Sequence, residues 1–288
     1  MINLSIPTDR EKLEQLIETD IDLFCQSHYE SGHRKHLGAS ELGEECWRKL
    51  WYGFRWTKLE VHDGRILRLF NVGHQAEPRF ISYLRGIGFE VREFEDEETK
   101  KQFRIIGAKG HYGGSLDGMC KAPERYQLSE DIVLLNEFKT NGTGAGFNSV
   151  ADQDLRKAKP KHWIQCCQYG FKKNIKYALY MIENKNDSSI IVKIIELDWN
   201  VGRQYEQKAT DIINSKQAPP RISDNPAFQA CKYCHQAGIC HRGEQPEKNC
   251  RSCRQSVPIE DGQWGCMFHD SIIPDEWIAI GCDNWLPI

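Results

Sequence analysis

Apolar residues recur every three or four positions in five segments of this chain, the spacing that places them on one face of a helix. These segments cover residues 11–24, 40–52, 66–85, 160–171 and 201–215. Between them lie short stretches rich in β-branched and aromatic residues, which predict strands at 89–94, 131–139, 177–182 and 190–197 and a hairpin over 104–119. Helices and strands that alternate in this way predict the α/β class.

The first two predicted helices carry different information. The first has a single apolar stripe that we expect to pack against the core, made of Leu13, Leu16, Ile17, Ile21 and Phe24. The second begins at Ser40, a residue type favoured at helix N-caps, and it carries Cys46. A cysteine in such a helix is ordinarily a small buried side chain. Cys46 by itself therefore does not indicate a metal site, and such a site requires further cysteines.

Length and charge limit the function classes. The chain has 288 residues, enough for one main core and a small appendage without disulfides. Its formal net charge is −3, so any attraction to nucleic acid must come from local basic patches. No apolar run approaches the ~20 residues of a membrane span, and no signal pattern opens the chain. We therefore expect a cytoplasmic protein that does not contact a membrane.

The cysteines are concentrated at one end. The chain has twelve, and seven of them lie between Cys231 and Cys282. In a reducing compartment, cysteines at such short spacings indicate metal sites rather than disulfides. Regular periodicity also fades after Pro220. We therefore expect a main domain over residues 1–242 and a small cysteine-rich module over 243–288.

A carboxylate and an ammonium share one face of the predicted strand over 131–139. Side chains alternate along a strand, so Glu137 and Lys139 project together while Phe138 points into the core. Asp117 follows a glycine turn, in a position to end a neighbouring strand. Two carboxylates with open coordination suit Mg²⁺ or Mn²⁺, which can activate water for phosphodiester hydrolysis. The alternative is an exposed ion pair without catalytic meaning.

Four motifs in order resemble the RecB-like branch of the PD-(D/E)XK nucleases over residues 38–242. They are Gly73-His74-Gln75-Ala76-Glu77, Gly114-Ser115-Leu116-Asp117, Glu137-Phe138-Lys139 and Gln165-Cys166-Cys167-Gln168-Tyr169. The resemblance implies a mixed central sheet flanked by helices. It also implies that the metal is bound by His74, Asp117, Glu137 and the carbonyl of Phe138. Lys139 would then assist the attacking water, and Gln165 and Tyr169 would hold substrate or lysine.

Cys231, Cys234 and Cys240 provide three thiolates within ten residues, with Cys46 far upstream. Four thiolates suit either zinc or an iron–sulfur cluster. The spacing resembles that of AddB-type nucleases and CRISPR-adaptation exonucleases, which implies a [4Fe–4S] cluster held by these four cysteines. Such a cluster would tie the N-terminal helices to the end of the nuclease core. We expect its role to be structural.

The second cysteine group pairs Cys250 and Cys253 with Cys266 and His269, and Cys282 follows. Two pairs of ligands, each separated by two residues, predict a structural Zn²⁺ site, and either His269 or Cys282 would be the fourth ligand. The alternative is that these residues lie scattered in an irregular C-terminal tail as reduced thiols that form no zinc site. The module also has aromatic side chains, which we expect to build its small core rather than stack on bases: Trp264, Phe268, Trp277 and Trp285.

Basic residues cluster at 34–36, at 48–49 and at 156–162, and we expect the last group to contact DNA because it leads into the Gln165 motif. The resemblance implies a DNA nuclease, an exonuclease on single-stranded ends, in recombination, repair, replication or phage DNA processing. Two alternatives remain open. One is a non-catalytic iron–sulfur DNA-binding subunit. The other is a zinc-dependent adaptor for a recombinase, helicase or annealing protein.

Overall fold

The computed structural model describes residues 10–29 and 32–288. The helices are α1 Arg10–Tyr29, α2 Trp47–Phe54, α3 Gly64–Gly86, α4 Ala145–Asp152, α5 Leu155–Ala158, α6 Pro160–Lys173, α7 Trp199–Asn214, α8 Gln229–Lys232, α9 Ala237–Arg242 and α10 Asp275–Ile278. The strands are β1 Leu37–Gly38, β2 Glu90–Arg92, β3 Phe94–Asp96, β4 Lys101–Gln102, β5 Arg104–Gly107, β6 Tyr112–Ser115, β7 Met119–Lys121, β8 Leu134–Asn141, β9 Tyr177–Asn184, β10 Ile190–Glu196, β11 Ser256–Pro258, β12 Trp264–Cys266 and β13 Ser271–Ile273.

The central sheet has five strands in the order β10-β9-β8-β7-β2. Strands β8 and β9 run parallel over their full length, from Leu134 opposite Tyr177 to Asn141 opposite Asn184. The other three pairings are antiparallel. The expectation of an α/β fold with a mixed central sheet is therefore confirmed.

Helices cover both faces of this sheet. On one face, Phe80 of α3 packs against Phe138 of β8, with ring centroids 5.1 Å apart. On the other face, Leu135 of β8 belongs to a cluster that includes Cys166 and Tyr169 of α6. Since side chains alternate along β8, its odd-numbered residues face α6 and its even-numbered residues face α3. The two layers together hold β8 in the middle of the core.

The second predicted helix begins later than expected. Residues 39–46 form successive turns, in which Glu41 N–H donates to Gly38 and Glu44 N–H donates to Glu41. Helix α2 then starts at Trp47, so Cys46 rather than Ser40 occupies the N-cap position. The turns leave Cys46 at the end of a helix instead of inside one.

The apolar stripe of α1 is not buried, so that prediction is wrong. Leu16, Ile17 and Phe24 are each about half exposed, at 56%, 50% and 51%, and Cys25 is the one buried residue of this helix. The helix packs along α3, where a Cβ on Gly64 would lie 2.5 Å from Asp22 Cα. Because its main contact is with α3, most of the stripe faces solvent. None of the helices that the structure describes is long and apolar enough to span a membrane.

The C-terminal segment packs onto the main core. Its strands β11, β12 and β13 form a separate antiparallel sheet. Trp264 of β12 is 1% exposed and contacts Phe54 of α2, with centroids 5.2 Å apart. The prediction that the aromatics build a core is thus correct for Trp264 but wrong for Phe268 and Trp277, which are 53% and 56% exposed.

Candidate active site

Glu137 and Lys139 lie on the face of β8 that points toward α6. Glu137 is fully buried, and the Lys139 ammonium forms an ion pair with its Oε1 atom. Asp117 lies in the turn between β6 and β7, where its Oδ2 atom accepts a hydrogen bond from Phe138 N–H at 2.7 Å. The structure therefore brings Asp117, Glu137 and Lys139 to one point beside the middle of β8.

A glycine makes this approach possible. Gly118 has φ +120, and its carbonyl accepts a hydrogen bond from Asn136 N–H at 3.0 Å. A Cβ at this position would lie 2.8 Å from the Arg92 carbonyl oxygen. Only glycine adopts this backbone conformation readily, so Gly118 lets the Asp117 turn close against β8.

Glu137 is the most perturbed carboxyl group of the site. Apart from the ion pair with Lys139, neither of its buried oxygens has a hydrogen-bond partner among the described residues. Burial raises its pKa to about 7, the Lys139 ammonium opposes this shift, and the Asp117 carboxylate adds to it. A buried carboxylate without donors is costly unless a cation compensates it. The site thus has unused capacity to bind positive charge.

Glu77 of α3 is a third carboxyl group that sequence reasoning did not assign. Its pKa is raised, first by burial and then by the Asp117 carboxylate. His74 Nδ1 lies 3.6 Å from Glu77 Oε1, although the His74 side chain is 76% exposed. The available signal was the i, i+3 spacing of His74 and Glu77, which places both on one face of a helix.

Lys139 is cationic at this site. Burial lowers its pKa, but the Glu137 and Asp117 carboxylates raise it by more, so the net shift is upward. An ammonium held in this way donates hydrogen bonds and attracts anions. It cannot accept a proton while both carboxylates retain their charge.

Gln165 and Tyr169 form the wall that α6 contributes. Gln165 Nε2 donates to the Tyr169 hydroxyl at 3.1 Å, as expected for side chains one helical turn apart. Tyr169 is 2% exposed, and its pKa is raised by burial and then by the Glu137 carboxylate. Gly114 of β6 leaves room for this side chain, because a Cβ there would lie 2.7 Å from the Tyr169 hydroxyl.

Tyr180 and His162 adjoin the same cluster. Tyr180 of β9 is the register partner of Glu137, and its hydroxyl lies 2.8 Å from His162 Nδ1. Burial, followed by the Lys139 and Lys159 ammonium groups, lowers the pKa of His162 to about 3. His162 is therefore neutral near pH 7 and cannot act as a basic contact to phosphate, contrary to its inclusion in the basic group.

A large cleft borders this cluster, and His74 lies in its wall. Its volume is about 610 Å³, and its wall includes both basic and acidic side chains. Lys49 and Lys161 both pair with Glu44 inside it, at 3.0 and 3.2 Å. We regard the carboxylate cluster as the chemical centre, because it holds the perturbed groups, and the cleft as its approach.

Cys46, Cys231, Cys234 and Cys240 line one pocket together with Arg221 and Tyr52. Arg221 donates to the Cys240 carbonyl at 2.6 Å, which ties the preceding loop to this pocket. All four cysteines are free thiols. Within residues 10–29 and 32–288, however, no three His, Cys, Asp or Glu side chains are arranged so that they could hold a metal ion as they stand.

The second cysteine group lies at the other end of α2. Cys250 and Cys253 flank a tight turn, Cys266 ends β12, and Cys282 follows α10. His269 is exposed, and its ring packs edge-on against Phe268 with centroids 4.9 Å apart. The structure thus places His269 on the surface of the module.

No family model and no curated protein matches the sequence. The fold is similar to that of the alkaline exonuclease LHK-Exo from Laribacter hongkongensis, with a TM-score of 0.41, 15% identity, and coverage of 67% of this chain and 90% of the exonuclease. The corresponding values for LHK-Exo in complex with dAMP are 0.43, 15%, 62% and 86%. For the protein SSO0001 they are 0.41, 14%, 80% and 96%. Likeness at this level assigns neither a family nor an activity.

Proposed function

We propose that this chain is a divalent-metal-dependent DNA nuclease of the PD-(D/E)XK type. The observation that carries the proposal is the buried Glu137 carboxyl group, which has no hydrogen-bond donor other than the Lys139 ammonium and lies beside Asp117 and Glu77. An ordinary structural ion pair would not gather three carboxyl groups around one ammonium, because their mutual repulsion costs stability. Such repulsion is tolerated where a bound cation relieves it.

The donor set fits Mg²⁺ or Mn²⁺, since both prefer carboxylate and carbonyl oxygens. Asp117, Glu137, Glu77 and the Phe138 carbonyl would hold the ion, with His74 at its exposed side. When bound, such an ion supplies charge neutralisation at a phosphate and a more acidic water. The chain itself contributes the fixed positions of these oxygens, which the β8 backbone and the Asp117 turn define.

Lys139 then orients the attacking water or a phosphate oxygen through its ammonium hydrogens. Tyr169 and Gln165 close the site on the α6 side and keep Lys139 beside the carboxylates. The adjoining cleft, with Lys49 and Lys161 in its wall, leads a strand toward His74. We propose that this cleft receives the end of a single strand and that the chain acts as an exonuclease on such ends.

End-labelled single-stranded and duplex DNA, incubated anaerobically with Mn²⁺, tests this proposal. We expect Glu137→Ala and Lys139→Ala to lose at least about 1,000-fold in rate, because several kcal/mol of charge stabilisation disappear and each 1.36 kcal/mol is tenfold. Glu196→Gln and Lys176→Ala are matched controls, since this exposed pair lies on the same sheet with its atoms 3.3 Å apart. A closed single-stranded circle included alongside distinguishes end-dependent cleavage from internal cleavage.

Cleavage by the two active-site variants at the wild-type rate would refute the assignment. DNA binding without cleavage under any divalent ion would instead favour the non-catalytic subunit. Failure to bind DNA, with retention of a recombinase, helicase or annealing protein, would favour the adaptor.

We also propose that the Cys46 pocket holds a [4Fe–4S] cluster with a structural role. This pocket lies between the start of α2 and the segment around α8 and α9. A cluster bound there would link Cys46 to cysteines near the end of the main domain and so close a loop that contains most of the chain. We expect Cys234→Ser to lose the absorbance near 400 nm expected for such a cluster and to fold poorly. Cys25→Ser, which changes a buried cysteine on α1, should keep the absorbance. A colourless, stable wild type that carries zinc in this pocket would contradict the cluster.

A further inference from the structure

Two arginines are buried beside the C-terminal cysteines without a carboxylate partner. Arg251 and Arg55 are 1% and 5% exposed. Arg55 donates to the Cys253 and Ser256 carbonyls, and Arg251 donates to the Lys35 and Phe54 carbonyls. Among the described residues, no carboxylate lies within ion-pair distance of either guanidinium. Two like charges so close together in a core require a counter-charge.

Aromatic rings supply only part of this compensation. The Arg251 guanidinium lies 4.4 Å from the Trp56 ring centroid and 4.7 Å from that of Trp264. Arg55 lies 5.1 Å from the Trp264 centroid. Cation–π contacts of this kind offset only part of the cost of burying an ion. An anion is therefore missing from the electrostatic balance of this region.

The thiols of the four C-terminal cysteines can provide this negative charge when they lose their protons. Arg251 lies within the turn between Cys250 and Cys253, and Arg55 contacts the Cys253 carbonyl at 2.5 Å. Cys253 N–H donates to the Cys250 carbonyl at 3.1 Å, and Ser256 pairs with Cys266 across β11 and β12. Cys250 N–H donates to the Ile278 carbonyl at 2.8 Å, close to Cys282 in the chain. These backbone contacts bring the four cysteines into one region, whereas the His269 side chain is exposed and packs against Phe268.

Backbone groups already point at two of these sulfurs. His269 N–H donates to Cys266 Sγ at 3.5 Å, and Leu286 N–H donates to Cys253 Sγ at 3.4 Å. Hydrogen bonds to a sulfur favour its thiolate form. The sulfurs do not stand in a closed coordination group in the described residues, but rotation about each Cα–Cβ bond relocates a sulfur among staggered positions without moving the backbone.

We propose that Cys250, Cys253, Cys266 and Cys282 bind one zinc ion as thiolates, and that Arg55 and Arg251 balance the net negative charge of this centre. Binding displaces four thiol protons to solvent, and four thiolates around Zn²⁺ leave two negative charges for the two guanidiniums. The metal centre thereby joins the C-terminal sheet to α2. His269 is excluded as a ligand and contributes only its backbone N–H.

X-ray absorption at the zinc edge tests the ligand set in the full-length protein, because iron elsewhere does not contribute to that edge. We expect four sulfur neighbours at about 2.3 Å in the wild type and in His269→Ala. Cys282→Ser should lose the bound zinc or replace one sulfur by a lighter atom. A nitrogen neighbour that disappears in His269→Ala, the absence of zinc, or iron in its place would each overturn the assignment.

Competition with a chelator tests the role of the arginines. Partners just outside the ligand set typically change metal affinity by about 10–100-fold, and we expect a loss in that range for Arg55→Gln. Arg55→Lys keeps the charge and should retain most of the affinity, even if it is less stable. Arg79→Gln is the matched control, because Arg79 pairs with Glu183 at 2.9 Å, away from the cysteines. Equal zinc affinity in Arg55→Gln and wild type would refute the charge balance.

Discussion

Replacement of Glu137 by glutamine should change how the stability of the metal-free protein depends on pH. The folded pKa of Glu137 is about 7, whereas its ordinary value is 4.5. The folded state therefore binds this proton more tightly than the unfolded state, and wild-type stability falls as pH rises from about 4.5 through 7. Glutamine has the same shape but does not titrate, so the variant lacks this contribution.

The expected magnitude follows from the shift. At 1.36 kcal/mol per pKa unit, the wild type should lose roughly 3 kcal/mol relative to Glu137→Gln between pH 4 and pH 8. Glu77 and Asp117 also have raised pKa values, and both remain in the variant, so the part of their contribution that does not depend on Glu137 cancels in the comparison. The difference between the two proteins, rather than either curve alone, is the informative quantity.

Urea unfolding at several pH values, with divalent ions removed, measures this difference. Parallel stability curves for wild type and Glu137→Gln across pH 5 to 8 would refute the reasoning, because a buried carboxyl group that titrates near 7 must separate them. Added Mn²⁺ provides a second readout at pH 8. At a concentration 100 times the dissociation constant it should stabilise the wild type by about 2.7 kcal/mol, and it should stabilise the variant far less.

Three further substitutions test packing around the site. Phe138→Ala should cost about 3–5 kcal/mol in urea unfolding, because it empties the contact with α3, and a loss below 1 kcal/mol would place Phe138 outside the core. Gly114→Ala should reduce nuclease activity more than stability, because its Cβ meets the Tyr169 hydroxyl; unchanged activity would show that Tyr169 is not needed in this position. Leu16→Ser should change stability by less than about 0.5 kcal/mol, and a large loss would indicate that the α1 stripe is buried.

Much of the site was accessible from local pattern. Alternation along β8 was enough to predict that Glu137 and Lys139 share a face and that Phe138 lies on the other, because a strand permits no other arrangement once its register is set. Helical spacing likewise placed Gln165 next to Tyr169. Such inferences depend only on neighbours in the chain.

Other features depend on contacts between distant segments. Glu77 lies beside the other carboxyl groups because α3 packs on β8, about 60 residues later in the chain. The spacing of residues along α3 does not predict this contact. The charge of His162 was mispredicted because its neutrality comes from burial beside Tyr180 and Lys139. The α1 stripe was assigned to the core because an apolar face looks the same whether or not a partner covers it.

The amino-acid sequence by itself determined the order of the longer helices and central strands, the faces of β8 and α6, and the cysteine groups, since each follows from spacing within the chain. Tertiary structure alone decided which carboxyl groups meet, which thiols are neighbours and which arginines lose their solvent. Those outcomes depend on burial and on charge–charge distance, and both quantities exist only after the chain has folded.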